Sequence, residues 1–127
     1  MKRYEIPNFG ISIEAPDGLT LEVDDTYDEW ASLTGPGFHL ILNAFVPESS
    51  SHSLAETKQQ INLFNNAEIE ITREEDDDRQ WRVDYRFVDK GTFGTSARIG
   101  MLDCGVSGVD EAQRDRVAAC CQTIKRV

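Results

Sequence analysis

Residues 81–87, with the sequence WRVDYRF, alternate at every position between large apolar and charged side chains. A period of two is typical of a half-buried β-strand, whose apolar side chains lie on one face and whose charged side chains lie on the other. Such a strand needs neighbouring strands and a layer packed on its apolar face. We therefore expect a sheet that has at least one covered face.

The composition is that of one soluble domain. The chain has 127 residues, of which 39% are hydrophobic and 28% are charged, and this length is enough for a single core. No run approaches the roughly 20 apolar residues that cross a bilayer, and the first residues lack the apolar region of a signal peptide. We expect one domain over residues 1–127, located in the cytoplasm and not bound to a membrane.

The first half of the chain shows four strand patterns and one helix pattern. The strands are predicted over residues 9–15, 19–23, 27–33 and 38–46. The turn at residues 16–18, Pro-Asp-Gly, predicts that the first two strands are antiparallel neighbours. Ser53 and Glu56 form a capping-box pattern, and an apolar stripe follows it to Phe64. We expect a helix over residues 53–64.

The second half shows three strand patterns and one helix pattern. A strand begins at Ile69, the acidic residues 74–78 predict a hairpin tip, and the strand of residues 81–87 follows. One further strand is predicted over residues 95–104. A helix then begins at Asp110, and Lys125 and Arg126 are expected in its last turn. The predicted fold is α+β, an antiparallel sheet of about six or seven strands flanked by two helices in the order ββββ-α-βββ-α.

The charge distribution favours a basic partner. The formal net charge is −10, from 23 acidic and 13 basic residues. The acids cluster at Asp24 and Asp25, at Asp28 and Glu29, and in residues 74–78. Such a surface repels phosphate backbones, which argues against nucleic acid and anionic lipid, and it attracts basic proteins over long range. The alternative is that these acids serve solubility alone.

Three arginines are predicted on one polar sheet face. Arg82, Arg86 and Arg98 are expected beside Asp84 on adjacent strands. Cross-strand ion pairs would explain them. If no helix covers that face, the arginines instead form a partner-binding surface, for which the guanidinium group is well suited.

No residue pattern points to catalysis or to a bound cofactor. A cysteine nucleophile needs a nearby imidazole, but His39 lies within a strand and His52 precedes a helix. Residues 24–29 lack the loop spacing and central glycine of a calcium-binding EF-hand. Asp103 ends an apolar series, and pairing with a backbone amide accounts for it. No phosphate-binding or nucleophile-elbow motif occurs. We expect no enzyme activity, no cofactor and no metal.

The three cysteines, Cys104, Cys120 and Cys121, do not have zinc-type spacing. Reduced, buried thiols are the default expectation, and Cys104, at a strand end, is expected to be the most reachable. The alternative is a bridge from Cys104 to Cys120 or Cys121. Such a bridge requires the last helix to lie on the strand of Cys104.

The order of elements resembles the PsbP-like fold. The resemblance is carried by the sequence ISIEAPDGL at residues 11–19, by Trp30, by the helix start SLAE at residues 53–56 and by CQTIK at residues 121–125. Members of that fold include a subunit of the photosynthetic oxygen-evolving complex, a nuclear factor that binds the GTPase Ran, and bacterial chaperones for type VI secretion effectors. The resemblance implies a non-catalytic module that docks on another macromolecule. It supplies no residue-level site.

These observations lead to two functional hypotheses. The first is a protein-binding module of the chaperone, adaptor or immunity kind, with Asp24, Asp25, Asp28 and Glu29 steering a basic partner and Arg82, Arg86 and Arg98 giving specificity. The second is a binder of small apolar ligands, with a pocket between the sheet and the first helix. An uncovered edge strand or sheet face would also allow a homodimer.

Overall fold

The computed structural model describes residues 1–27, 29–44, 68–77, 80–100 and 102–127, with only the backbone described for Asp76, Asp77 and Gln80. These residues form ten strands and one helix. They are β1 (Lys2–Ile6), β2 (Ile11–Ala15), β3 (Thr20–Val23), β4 (Trp30–Gly35), β5 (Phe38–Ala44), β6 (Ile69–Asp77), β7 (Gln80–Phe87), β8 (Thr92–Ile99), β9 (Leu102–Val109), α1 (Glu111–Cys121) and β10 (Lys125–Arg126). No helix within these ranges is both long and apolar enough to span a membrane.

The strands form two antiparallel sheets. The large sheet has the order β3-β4-β5-β9-β8-β7-β6, and the small sheet has the order β1-β2-β10. Helix α1 packs on β5, β8 and β9 of the large sheet and on β2 of the small one. The α+β class and the antiparallel pairing are therefore as expected, but the prediction of a single sheet is wrong.

The main core lies between the two sheets and α1. The small sheet contributes Ile6 and Ile13, the large sheet contributes Leu33 and Leu42, and α1 contributes Val117, all of them fully buried. The inward residues of the strands fall on alternate positions, as a period of two requires. The strands that border this core thus turn their apolar side chains into the interface between the two sheets.

A second apolar cluster lies on the opposite face of the large sheet. Its buried members are Trp81, Val83, Tyr85 and Phe87 of β7, and Ile69 and Ile71 of β6 pack against them. Residues paired directly across an antiparallel ladder point to the same face. Arg82 pairs with Ala97, a member of the main core, so the odd residues of β7 face away from that core. The alternation predicted for residues 81–87 is confirmed.

The chain termini depart most from the expected order. β1 was not predicted, and β2 pairs with β1 and β10 rather than with β3. The Tyr4 hydroxyl donates to the Pro16 carbonyl at 2.7 Å and accepts from the Leu19 amide at 3.1 Å. The link between β2 and β3 is therefore fastened to β1, and β3 continues into the other sheet. The predicted hairpin of residues 9–15 with residues 19–23 is wrong.

The last helix begins where it was expected and ends earlier. The Asp110 carboxylate accepts from the Gln113 amide at 2.8 Å, which is an N-cap interaction. The helix ends at Cys121. Lys125 and Arg126, predicted in its last turn, instead pair with Ser12 and Ile11 of β2. They supply hydrogen bonds along the edge of β2 opposite β1, an edge that would otherwise lack a partner strand.

Two further predictions concern residues 95–104 and residues 53–64. Residues 95–104 were predicted as one strand but belong to two, because Gly100, with φ of +63°, turns the chain between β8 and β9. The predicted helix over residues 53–64 lies outside the described residues. The described part therefore holds one helix, and the order ββββ-α-βββ-α does not match it.

A disulfide joins Cys104 of β9 to Cys121 of α1, with the two Cα atoms 5.9 Å apart. The helix lies on β9, which is the condition stated for a bridge. Cys104 is fully buried, so its predicted accessibility is wrong, and the expectation of three reduced thiols fails for this pair. Cys120 stays free and buried, and burial raises the pKa of its thiol.

Candidate functional site

The turn between β3 and β4 is organised by the carboxylate of Asp24. Its Oδ1 accepts from the amides of Thr26 and Tyr27, at 3.0 Å and 3.2 Å, and its Oδ2 accepts from the amide of Glu29 at 3.2 Å. Aspartate is favoured in turns because its short side chain can satisfy backbone donors in this way. Partial desolvation disfavours the ionised form, but the three amide donors outweigh it and lower the pKa of Asp24.

Three further hydrogen bonds hold this turn against the sheet. The Asp24 amide donates to the Trp30 carbonyl at 2.9 Å, and the Ala44 amide donates to the Glu29 carbonyl at 2.8 Å. The Trp30 carbonyl also accepts from Nδ2 of Asn8 at 3.0 Å. The turn is therefore fixed at both of its ends and is connected to β5 and to the β1–β2 turn.

The fixed turn presents aromatic and acidic side chains to solvent. Tyr27 is 75% exposed and Trp30 is 39% exposed. Asp25 and Glu29 are exposed beside them, and Asp28 lies outside the described residues. We call residues 24–30 the acidic turn. Aromatic rings next to carboxylates suit lysine and arginine side chains, which bind carboxylates through their charge and lie over ring faces.

Arg82, one of the predicted binding residues, belongs to a buried network. Its Nε and a terminal amino group donate to the two carboxylate oxygens of Asp84, at 3.1 Å and 2.8 Å. The Thr95 hydroxyl donates to the same carboxylate at 2.6 Å. The side chain of Asp84 is 3% exposed and that of Arg82 is 13% exposed. This bidentate pair stabilises the face of the sheet that continues the main core, and little of Arg82 is accessible to a partner.

The other two arginines do not form a common binding surface with Arg82. Arg86 forms an ion pair with Glu70 on the neighbouring strand, and both side chains are substantially exposed. Arg98 pairs in the ladder with Trp81, so it lies on the face opposite to Arg82 and Arg86. Its Nε donates to the Gly100 carbonyl at 3.0 Å. The prediction that the three arginines share one face is wrong, because the register places Arg98 with the odd residues of β7.

The acidic turn and the arginines of β7 are also far apart. Four strand spacings separate β4 from β7 in the large sheet, which amounts to about 19 Å at the usual spacing between strands. They cannot contact one small segment of a partner together. The residues predicted for partner binding therefore divide into a compact turn and a set of arginines engaged elsewhere in the fold.

The second acidic cluster lies mainly within a strand. Residues 74–77 belong to β6 and pair with β7, so the predicted hairpin tip begins later than expected, and Asp78 lies outside the described residues. Glu75 forms an ion pair with Arg73 on the same strand. β6 is the last strand at its side of the described sheet, and acidic residues there discourage pairing with other chains.

The polar residues considered for chemistry have structural partners. Nδ1 of His39 lies 2.8 Å from the Thr34 hydroxyl. The Asp103 carboxylate accepts from the Ser96 hydroxyl at 2.7 Å, and its expected pairing with a backbone amide stays a prediction. Among the described side chains there is no group of three or more histidine, cysteine or acidic residues that could hold a metal ion. His52 lies outside them.

The sequence analysis missed the two aromatic residues of the acidic turn. Tyr27 and Trp30 were assigned to a strand over residues 27–33, although β4 begins only at Trp30. A signal was present, because both residues flank Asp28 and Glu29. The alternation of residues 81–87 identified buried aromatics, whereas exposed aromatics follow no such period.

In comparisons with known proteins, no family model, curated protein or solved structure matched the chain. The case for a function therefore depends on the geometry of the described residues.

Proposed function

We propose that this protein is a non-catalytic module that binds a lysine- or arginine-rich segment of another protein through the acidic turn. The observation that carries the proposal is the turn fixed by Asp24, which presents the exposed Tyr27 and Trp30 together with the exposed carboxylates of Asp25 and Glu29. The net charge of −10 adds long-range attraction for a basic partner.

The fixed geometry of the turn matters for affinity. A flexible loop loses conformational freedom when it binds, whereas a loop that is already ordered avoids most of that cost. Exposed tyrosine and tryptophan are frequent centres of binding energy, because they bury a large area with few rotatable bonds. The exposed carboxylates of Asp25 and Glu29 contribute attraction that salt will weaken.

The chaperone, adaptor or immunity kind of module expected from the sequence belongs to the same proposal, whereas the cytoplasmic location stays a prediction. The Cys104–Cys121 disulfide argues for an oxidising compartment instead, because disulfides persist there and are rare in the cytosol. The pocket proposed between the sheet and the first helix stays a prediction, since that helix lies outside the described residues.

A titration with a basic peptide tests the proposal. An octa-arginine peptide added to the protein at low salt is expected to change the fluorescence of Trp30 and to bind more weakly as salt rises. The double variant Asp25→Lys/Glu29→Lys should abolish this binding. The control Asp17→Lys/Asp89→Lys changes the net charge equally at two exposed sites in other turns. If both variants lose binding to the same extent, only net charge attracts the peptide and the acidic turn is not the site.

The aromatic residues need a separate test, because charge variants do not report on them. Tyr27→Ser is expected to weaken octa-arginine binding, while Val88→Ser, at another exposed apolar position, should leave it unchanged. An affinity pull-down from the native lysate at low and high salt, with mass spectrometry, would then identify the natural partner. A partner retained equally by the Asp25→Lys/Glu29→Lys variant would contradict the proposal.

A further inference from the structure

A cavity of about 650 Å³ opens at one end of the interface between the two sheets. Its walls come from the β1–β2 turn, the end of β5, the β8–β9 turn and β10. Five of its lining side chains are large and apolar, namely Phe9, Ile11, Ile99, Leu102 and Ile124. The volume is in the range of sites that hold small organic ligands. No described residue of β7 lines it.

The charge of the cavity is opposite to that of the protein. Lys125 and Arg126 line it, and no acidic residue of the described ranges does so, although acids outnumber bases by 23 to 13 in the chain. Both side chains are exposed, and neither forms an ion pair within the described part of the chain. The cavity therefore combines an apolar wall with two available cations.

The register of β10 directs one of these cations toward the cavity. Arg126 pairs with Ile11, a buried member of the main core, and directly paired residues point to the same face. Arg126 thus lies on the face of the small sheet that is turned toward the large sheet. Lys125 pairs with Ser12 and lies on the other face. Arg126 is therefore better placed than Lys125 to contact a bound anion.

A third observation concerns Asn8, which also lines the cavity. Its Nδ2 donates to the Trp30 carbonyl, so its Oδ1 is the free end of the amide, and this oxygen is buried without a partner in the described chain. Unpartnered buried acceptors are uncommon in native structures and call for a bound water or another donor. The cavity lining therefore includes a hydrogen-bond acceptor as well as apolar side chains.

We propose that this cavity binds a small amphipathic carboxylate. The carboxylate lies at Arg126, with Lys125 adding to the positive potential, and the apolar chain packs against Ile11, Ile99 and Leu102. A water or a donor on the ligand satisfies Oδ1 of Asn8. Guanidinium groups suit this role because they bind carboxylates with two parallel hydrogen bonds. This proposal does not rest on the proposed binding of a basic protein at the acidic turn.

The experiment compares three probes that share a ten-carbon chain and differ in head group: decanoate, decanol and decyltrimethylammonium. Binding is measured on the full chain by calorimetry below the micelle concentration, and the site is mapped by amide chemical shifts. Decanoate is expected to bind most tightly and to shift the amides of Gly10, Gly100 and Leu102. Equal binding of decanol, tighter binding of the cation, or shifts confined to β7 would overturn the proposal.

A variant separates the contribution of the charge to binding from that of the apolar side chains. Arg126→Met is expected to weaken decanoate binding about fivefold, as for one exposed ion pair, and to leave decanol binding unchanged. Lys90→Met removes an exposed cation from a distant turn and should change neither affinity. Unchanged decanoate affinity in Arg126→Met, with an intact fold by circular dichroism, would also overturn it. The amide map of the unmodified protein gives an answer that does not depend on any variant.

Discussion

The side-chain amide of Asn8 donates a 3.0 Å hydrogen bond to the carbonyl oxygen of Trp30 and so connects the cavity wall to the acidic turn. The amide can take only one orientation here, because a flipped amide would place its oxygen against the carbonyl. The two proposed binding regions therefore share one structural element.

Replacement of Asn8 should therefore affect the turn. We expect Asn8→Ala to cost about 1 kcal/mol in the free energy of unfolding, the typical value for one hydrogen bond, and to weaken the binding of octa-arginine. Asn8→Asp should be worse, because its carboxylate would face the Trp30 carbonyl. Urea denaturation and peptide titration measure the two effects. Full peptide affinity in Asn8→Ala would show that this bond does not order the turn.

The buried pair of Arg82 and Asp84 should be far more important for stability than the exposed pair of Arg86 and Glu70. Asp84→Ala leaves a largely buried guanidinium group without its carboxylate, for which a loss of about 3 kcal/mol is expected. The matched control Glu70→Ala breaks an exposed pair and should cost less than about 1 kcal/mol. Chemical denaturation of both variants gives the comparison. Similar losses would mean that burial of the Arg82 pair has little energetic effect.

Gly94 is required because the ring of Tyr85 lies directly over it. A Cβ atom at position 94 would approach the Tyr85 ring to 2.4 Å. The Tyr85 side chain is held by a hydrogen bond to Ser107, and burial raises the pKa of its phenol. We expect Gly94→Ala to destabilise the fold by about 2 kcal/mol, as overpacking of a core does.

A double-mutant cycle separates the Tyr85 clash from any effect on the backbone. Once Tyr85→Leu has removed the ring, Gly94→Ala should cost much less, and the coupling energy from thermal unfolding measures the clash. Additive effects of the two substitutions would rule out a direct clash.

The Cys104–Cys121 disulfide closes a loop with a sequence separation of 17. Loops of about this length give a stabilisation of about 3 kcal/mol through the unfolded state. Cys121→Ser should lower the melting temperature and remove its dependence on dithiothreitol, whereas Cys120→Ser should leave that dependence intact. A linked peptide pair after alkylation of fresh lysate would show that the bridge exists in the cell. Free Cys104 and Cys121 in that lysate would contradict the oxidised state.

The turn carboxylate of Asp24 should make stability fall at low pH. Desolvation acts against the ionised form, but the three amide bonds hold the pKa of folded Asp24 below its ordinary value of 3.8, whereas the unfolded chain has that ordinary value. Ionised Asp24 therefore stabilises the folded state above the unfolded pKa, and this contribution is lost as the pH falls through the folded pKa.

Asp24→Asn should flatten the acid end of the stability curve, measured by denaturation across pH. The control Asp25→Asn, at an exposed neighbouring carboxylate, should leave that slope unchanged. If the free energy of unfolding falls with decreasing pH equally in the unmodified protein and in Asp24→Asn, a group other than Asp24 causes the loss of stability.

Some elements could be predicted because their signals are local. The strict alternation of residues 81–87 identified β7 and its buried face, since a period of two allows only one arrangement of side chains on a strand. Asp110 marked the start of α1, since an N-cap interaction involves only neighbouring amides. The acids of the acidic turn were also recognised, although their aromatic neighbours were not.

Other features depend on contacts between distant parts of the chain. β10 has a polar sequence and β1 is charged at three of its five positions, and both become strands by pairing with β2, which lies between them. The face of Arg98 follows from the register of β7 and β8, and the cavity is lined by residues that the fold brings together from the β1–β2 turn, β5, the β8–β9 turn and β10. The sequence by itself determined the antiparallel α+β class, the apolar face of β7 and the acidic surface, since these follow from neighbouring side chains and from composition. Only the tertiary structure decided the division into two sheets, the disulfide partner of Cys104 and the positions of the candidate sites, because each depends on which distant backbone segments pair.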